Sequence, residues 1–147
     1  MTTGLVILGV CHIVTALGLR PARPPGRFLL ALGGVATLLV AAFPLPVEGT
    51  PASHILPAAV SFIVLSVWPL AACVPRAGVT VLGVRASAIA TLTMLALLVT
   101  FAIHRDDSSQ VGLFERILAA TQALWPAATV LALLLAGRLM TRSHYLP

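Results

Sequence analysis

Five residues of this chain could together hold a divalent metal ion: His54, His104, Asp106, Asp107 and Glu115. Imidazole nitrogens and carboxylate oxygens are the ligand set of Zn²⁺ and similar ions. A metal held by them would support a hydrolase, so these five are the candidate metal residues. Against that reading, none shows within-helix ligand spacing such as H-x-x-x-H. All five stand where apolar segments end, and polar residues are expected at such ends. The stretch "FPLPVEGTPASH", with Glu48 six residues before His54, reads better as a polar turn whose imidazole is a hydrogen-bonding anchor. No metal ligand and no catalytic residue is assigned from the sequence.

His12 poses a separate question, because it stands near the middle of an apolar run. An ionisable group at such a depth is costly and faces protein or water. A haem would want a second axial histidine at comparable depth, and a proton relay would want acids inside the apolar runs. The sequence offers neither. His12 shares a helix face with Thr15, and the expected state is a neutral ring hydrogen-bonded to a neighbouring helix through Gln122 or Thr121. Cys11 and Cys73 fall at different depths and are expected to stay unbridged. No Walker loop, G-x-S-x-G, H-E-x-x-H, C-x-x-C or dinucleotide fingerprint occurs, so no cofactor is implied.

The elements that must position these residues follow from composition. Of 147 residues, 59% are hydrophobic and 9% charged, with mean hydropathy +1.06. A soluble domain carries about 25% charged residues, so a bilayer is the solvent this chain fits. The net charge of +5 comes from arginines between apolar runs, with no basic cluster interleaved with aromatics, which excludes nucleic acid as a partner. Apolar runs at 3–19, 28–43, 55–74, 83–103 and 117–137 predict one all-α transmembrane domain, a polytopic bundle of five helices over 1–147. Period-two alternation is absent, against a β-barrel. Arg20, Arg23, Arg27, Arg76, Arg85, Arg138 and Arg142 fall on one side of that bundle. Arg105, Arg116 and all four acids fall on the other. The positive-inside rule then predicts the N-terminus outside and the C-terminus cytoplasmic, and the expected location is the plasma membrane of a bacterium. The N-terminal segment lacks a basic n-region and an A-x-A-like site, so it reads as a first helix and not a cleaved signal.

Inside the runs the pattern speaks of packing. Ala119, Ala123 and Ala127 recur every four residues, and Gly33 and Gly34 sit with Thr37, each a place where another helix can approach. His12 is counted with these packing residues. Ser87, Thr91 and Met94 share a face of the fourth helix. Pro69 and Pro126, each after a tryptophan, interrupt the third and fifth helices. Trp68 near the arginine side suits an aromatic belt. Thr50 or Ser53 is expected to cap the third helix, and Glu115 to favour the N-terminus of the fifth. Arg20, Arg23 and Arg27 are read as headgroup contacts and topology determinants.

The stretch from Gly18 to Phe62 resembles the bacterial and archaeal multi-pass membrane proteins catalogued as domain of unknown function 998. The residues that carry the likeness are Phe43-Pro44, Glu48, His54 and the helix start Ala58, Ala59, Ser61 and Phe62. Gly112, Glu115 and Arg116 resemble the opening of that family's last helix. Family members usually carry a further helix before the first one seen here, so the resemblance implies a shortened member or a start upstream. It implies no reaction.

Three classes of function remain. The features fit best a non-catalytic integral membrane protein that binds lipid or serves as an accessory subunit of a larger assembly. Membrane lipids and another membrane protein or a second copy are its expected partners. The alternatives are a small transporter component and a membrane-embedded metal-dependent hydrolase using the His/acid set above.

Overall fold

The computed structural model describes residues 2–46, 49, 51–75, 80–105 and 110–143, with side chains for all of these except 80 and 139–143. Five helices follow one another: α1 (Thr2–Gly18), α2 (Pro24–Ala42), α3 (Ala52–Ala72), α4 (Val84–Ile103) and α5 (Val111–Ser143). A short 3₁₀ turn, Thr80–Leu82, leads into α4. No strand occurs among the described residues, as the absence of alternation predicts. Helices α2 to α5 are long and apolar enough to cross a membrane. α1 has 17 residues, roughly 26 Å at the usual rise, a little short of the ~30 Å hydrocarbon core. α5 begins before its apolar run and continues beyond it.

The surface inverts the pattern of a soluble protein. Ile7, Leu17, Phe28, Leu92, Ile103 and Leu124 are all exposed, while His12, Thr37, Ser61, Ser66, Gln122 and Thr129 are buried. In water so much exposed apolar area would drive aggregation. In lipid it is the solvated face. Two of the buried hydroxyls are satisfied within their own helices: Ser66 donates to Phe62 O at 2.8 Å and Thr129 to Trp125 O at 2.9 Å. Each is a bond to the carbonyl one turn back, which removes an unpaired donor from the apolar interior.

Packing is tightest in α1–α2–α3, where glycine sets the spacing. A Cβ on Gly26 would fall 2.3 Å from the backbone of Ala72, and one on Gly34 would fall 2.7 Å from Gly9 O. The adjacent Gly33 faces Leu65 instead, so the two neighbouring glycines of α2 admit two different helices. Thr91 of α4 accepts a hydrogen bond from Leu70 N at 3.2 Å, the amide that follows Pro69. α4 is thereby tied to α3 beside the helix-interior proline.

At the end where the α1–α2 arginines lie, a buried core gathers Ala16, Leu19, Leu30, Leu65, Trp68 and Leu82. Backbone bonds Arg23 N to Ala72 O (3.2 Å) and Val74 N to Leu82 O (2.8 Å) join its loops. Arg27 donates from Nε to Ala16 O at 2.8 Å and from Nη2 to Leu17 O at 3.0 Å. It thus caps the last carbonyls of α1, where a cation also opposes the helix dipole. Three expectations are corrected here. Trp68 is fully buried in this core, not set in a lipid-facing belt. α3 has Pro51 at its N-cap with no side-chain cap bond, and Ser53 lies inside the helix; Thr50 is outside the described residues. Glu115 lies a full turn beyond the α5 start, past the first turn where the dipole acts most strongly.

Candidate functional site

The opposite end of the bundle is open. α5 touches α1 and α3 only lightly, and the gap between α1, α2, α3 and α5 is a cavity of about 380 Å³. α4 contributes nothing to its lining. Its depth can be read along the helices. Thr2 and His12 both line it, roughly 15 Å apart along α1 at 1.5 Å per residue. The mouth carries Thr2, Pro44, Leu45, His54 and Glu115; below lie Leu5, Ala41, Ala58, Phe62 and Ala119. The floor holds His12, Thr37, Ser61, Leu65 and Gln122. A polar floor thus lies beneath an apolar shaft.

Each mouth residue has a local reason for its place. His54 sits in the first turn of α3, and its Nδ1 donates to Phe43 O at 2.7 Å. Phe43 is the C-cap of α2, so this bond closes the α2–α3 turn and fixes the imidazole with Nε2 left over. Glu115 reaches the cavity from the second turn of α5 and is exposed. His104 does not line it. It bonds its own helix through Nδ1 and Thr100 O at 2.9 Å, and packs on Phe114 with ring centroids 4.6 Å apart. Of the five residues that could have formed a metal set, the structure brings His54 and Glu115 to one cavity and leaves His104 outside it. Asp106 and Asp107, like Glu48, lie outside the described residues. Among the described residues no group of three or more possible ligands forms.

The floor is more unusual. Thr37 Oγ1 donates to Gly33 O at 2.8 Å and lies 2.8 Å from Ser61 Oγ. A threonine hydroxyl has one proton, so Ser61 is the donor of the second bond. Gln122 Nε2 donates to Phe62 O at 2.9 Å and to Ser66 Oγ at 3.0 Å. Both amide protons are committed, which leaves the carbonyl oxygen of Gln122 as an acceptor. His12 is 2% exposed, packed with its Cβ against Gly34. Neither ring nitrogen has a hydrogen-bond partner. Thr121, one expected partner, donates to Ile117 O at 2.8 Å instead. The backbone of Gln122, the other, approaches the ring without reaching hydrogen-bond geometry to either nitrogen, and its side-chain amide protons go to α3. A buried polar atom without a partner costs about 1–3 kcal/mol, and His12 has two.

Sequence reasoning found His12, His54, Glu115 and Gln122 singly. It did not place them around one space, and it did not single out Ser61 as part of a floor. The polar residues of four different helices have no common spacing in the chain that would connect them.

The family described as "Protein of unknown function (DUF998)" matches residues 1–132. No curated protein and no solved structure matches the chain.

Proposed function

We propose a lipid-binding, non-catalytic role for this chain, which belongs to the DUF998 family of proteins of unknown function and is a multi-pass helical membrane protein. The observation that carries the proposal is the cavity. Ligand pockets are typically concave and mostly apolar, of about 300–1,000 Å³, with a few placed polar groups, and this one answers that description. Its walls come from four apolar helices, so a molecule dissolved in the surrounding lipid needs no aqueous route to reach them. The bond of His54 Nδ1 to Phe43 O gives the ring a positioning role at the mouth.

Purification in mild detergent followed by mass spectrometry of retained lipid tests this role. The expected result is a bound apolar molecule at near-stoichiometric level, absent from a variant in which Ala119→Phe fills the shaft. Equal lipid content in the two proteins would sink the proposal. An accessory-subunit role predicts a different result, a membrane protein that co-purifies stoichiometrically.

The orientation proposed with it places the arginine end in the cytoplasm and the cavity mouth outside. A cysteine at Gln110, introduced with Cys11 and Cys73 replaced by serine, should react with an impermeant thiol reagent on intact cells. Labelling only after lysis would invert the topology.

A further inference from the structure

We infer that the floor of the cavity selects the hydroxyl terminus of a neutral aliphatic amphiphile, with His12 as the residue that reads it. The inference rests on the lipid-binding reading and specifies the chemistry of that ligand.

The floor allows few polar groups. Ser61 has given its proton to Thr37, and Gln122 has given both amide protons to α3. What these two present is acceptor oxygen. His12, neutral, has one N–H and one bare nitrogen, and both are unpartnered at 2% exposure. The floor therefore offers one donor and several acceptors, with no formal positive charge among its residues. A hydroxyl fits this set: it accepts from the His12 N–H and donates its proton to Ser61 Oγ or Gln122 Oε1. A carboxylate or phosphate would meet more acceptors than donors, and leaving an ion so placed is costly. A quaternary ammonium has no proton to give. A bare alkane would leave His12 as it is now, at the cost of two buried unpaired atoms.

Size gives a second constraint. At the ~30 Å³ that a water occupies in the liquid, the cavity holds about a dozen heavy atoms with their hydrogens. Its depth of roughly 15 Å suits an extended chain of that size more than a fused-ring or double-chain lipid. An amphiphile with its hydroxyl at the floor would lay its chain along the apolar shaft of Leu5, Ala58, Phe62 and Ala119.

The test uses the full chain in nanodiscs and three probes with a ten-carbon chain carrying a mid-chain diazirine: 1-decanol, decane and decyltrimethylammonium. Cross-links to α1, α3 and α5 peptides of the shaft are read by mass spectrometry. They are normalised to cross-links on the exposed α4 face around Leu92, which corrects for partitioning into the disc. The alcohol is expected to label the shaft about fivefold to tenfold more than either other probe, the range one net hydrogen bond supplies. His12→Leu should reduce the alcohol to the alkane's level without lowering alkane labelling, and His12→Gln, which keeps a donor and an acceptor, should retain the preference. If His12→Leu does not fold, Ser61→Ala serves, with the preference expected to fall about twofold or more. Equal labelling by alcohol and alkane in the unaltered protein, or a preference untouched by the folded variants, would overturn the selection while the lipid-binding reading stands. Absence of shaft labelling by all three probes would show a cavity filled by water and would remove both readings.

Discussion

The two ends of this bundle handle buried polarity in opposite ways. At the arginine end, α1, α2 and α3 close on one another through Gly26 and a core of Ala, Leu and Trp68. The cation of Arg27 there is directed to two α1 carbonyls. At the other end α5 stands off, and His12, with both ring nitrogens buried and unpartnered, lies at the floor of a cavity. One end resembles a finished core, with the Trp68 indole N–H as its single unpartnered group in that cluster. The other holds unsatisfied hydrogen-bonding capacity in a defined place. The open end is not loosely packed throughout: Thr37, Ser61, Ser66 and Gln122 are all bonded. His12 alone stands apart among the floor's polar side chains.

Enlarging a small residue should have very different effects at the two ends. Gly26→Leu places its Cβ 2.3 Å from Ala72 backbone atoms, a clash that only separation of α2 and α3 relieves. Overpacking of a tight site costs about 1–3 kcal/mol and more where backbone is the obstacle, so this variant should lose most of its folded yield. Ala58→Leu at the cavity should leave thermal stability in detergent within about 1 kcal/mol of the parent, since it fills space. Equal losses would show the open end to be packed as tightly as the closed one.

A smaller effect separates the arginines from one another. Arg27→Ala removes two charge-assisted bonds to the α1 C-terminus, and a loss of about 1–2 kcal/mol is expected. Arg27→Lys should recover only part, because a lysine cannot present two N–H groups in a fixed fork. Arg20 is exposed, and Arg20→Ala should change stability by less than about 0.5 kcal/mol. If Arg20 and Arg27 behave alike in thermal unfolding, the cap contributes nothing measurable.

How much of this was legible beforehand differs by level. Five helices, their order and the membrane-spanning length of α2 to α5 follow from run length and composition, because a bilayer imposes both. Gly33 and Gly34 could be recognised as close-approach sites, but not that they face different helices, since that depends on where α1 and α3 sit around α2. In the sequence Arg27 reads as a topology charge with Arg20 and Arg23. Its capping role depends on a turn that brings residue 27 back to carbonyls 16 and 17. By depth alone Trp68 reads as an interfacial anchor, and depth does not say which face of α3 is buried. The cavity was the least legible feature, because it is made by the distance of α5 from its neighbours and no residue encodes that distance locally.

The smallest expected effect concerns the mouth, and it bears on whether His54 belongs to the closed pattern or the open one. Its Nδ1 bond to Phe43 O makes it a turn clamp like Arg27, though it lines the cavity like His12. An interhelical hydrogen bond in a membrane protein contributes about 0.6 kcal/mol on average, so His54→Ala should lower the unfolding free energy by about that much. A clamp predicts that His54→Asn, whose amide can also donate to Phe43 O, restores part of the loss, and that alcohol labelling of the shaft is unchanged in both variants. Added Zn²⁺ should leave the unfolding midpoint of the parent where it was. A Zn²⁺-dependent rise that His54→Ala abolishes would assign the imidazole to a ligand site, and the mouth would then share with the floor a polar group awaiting its partner.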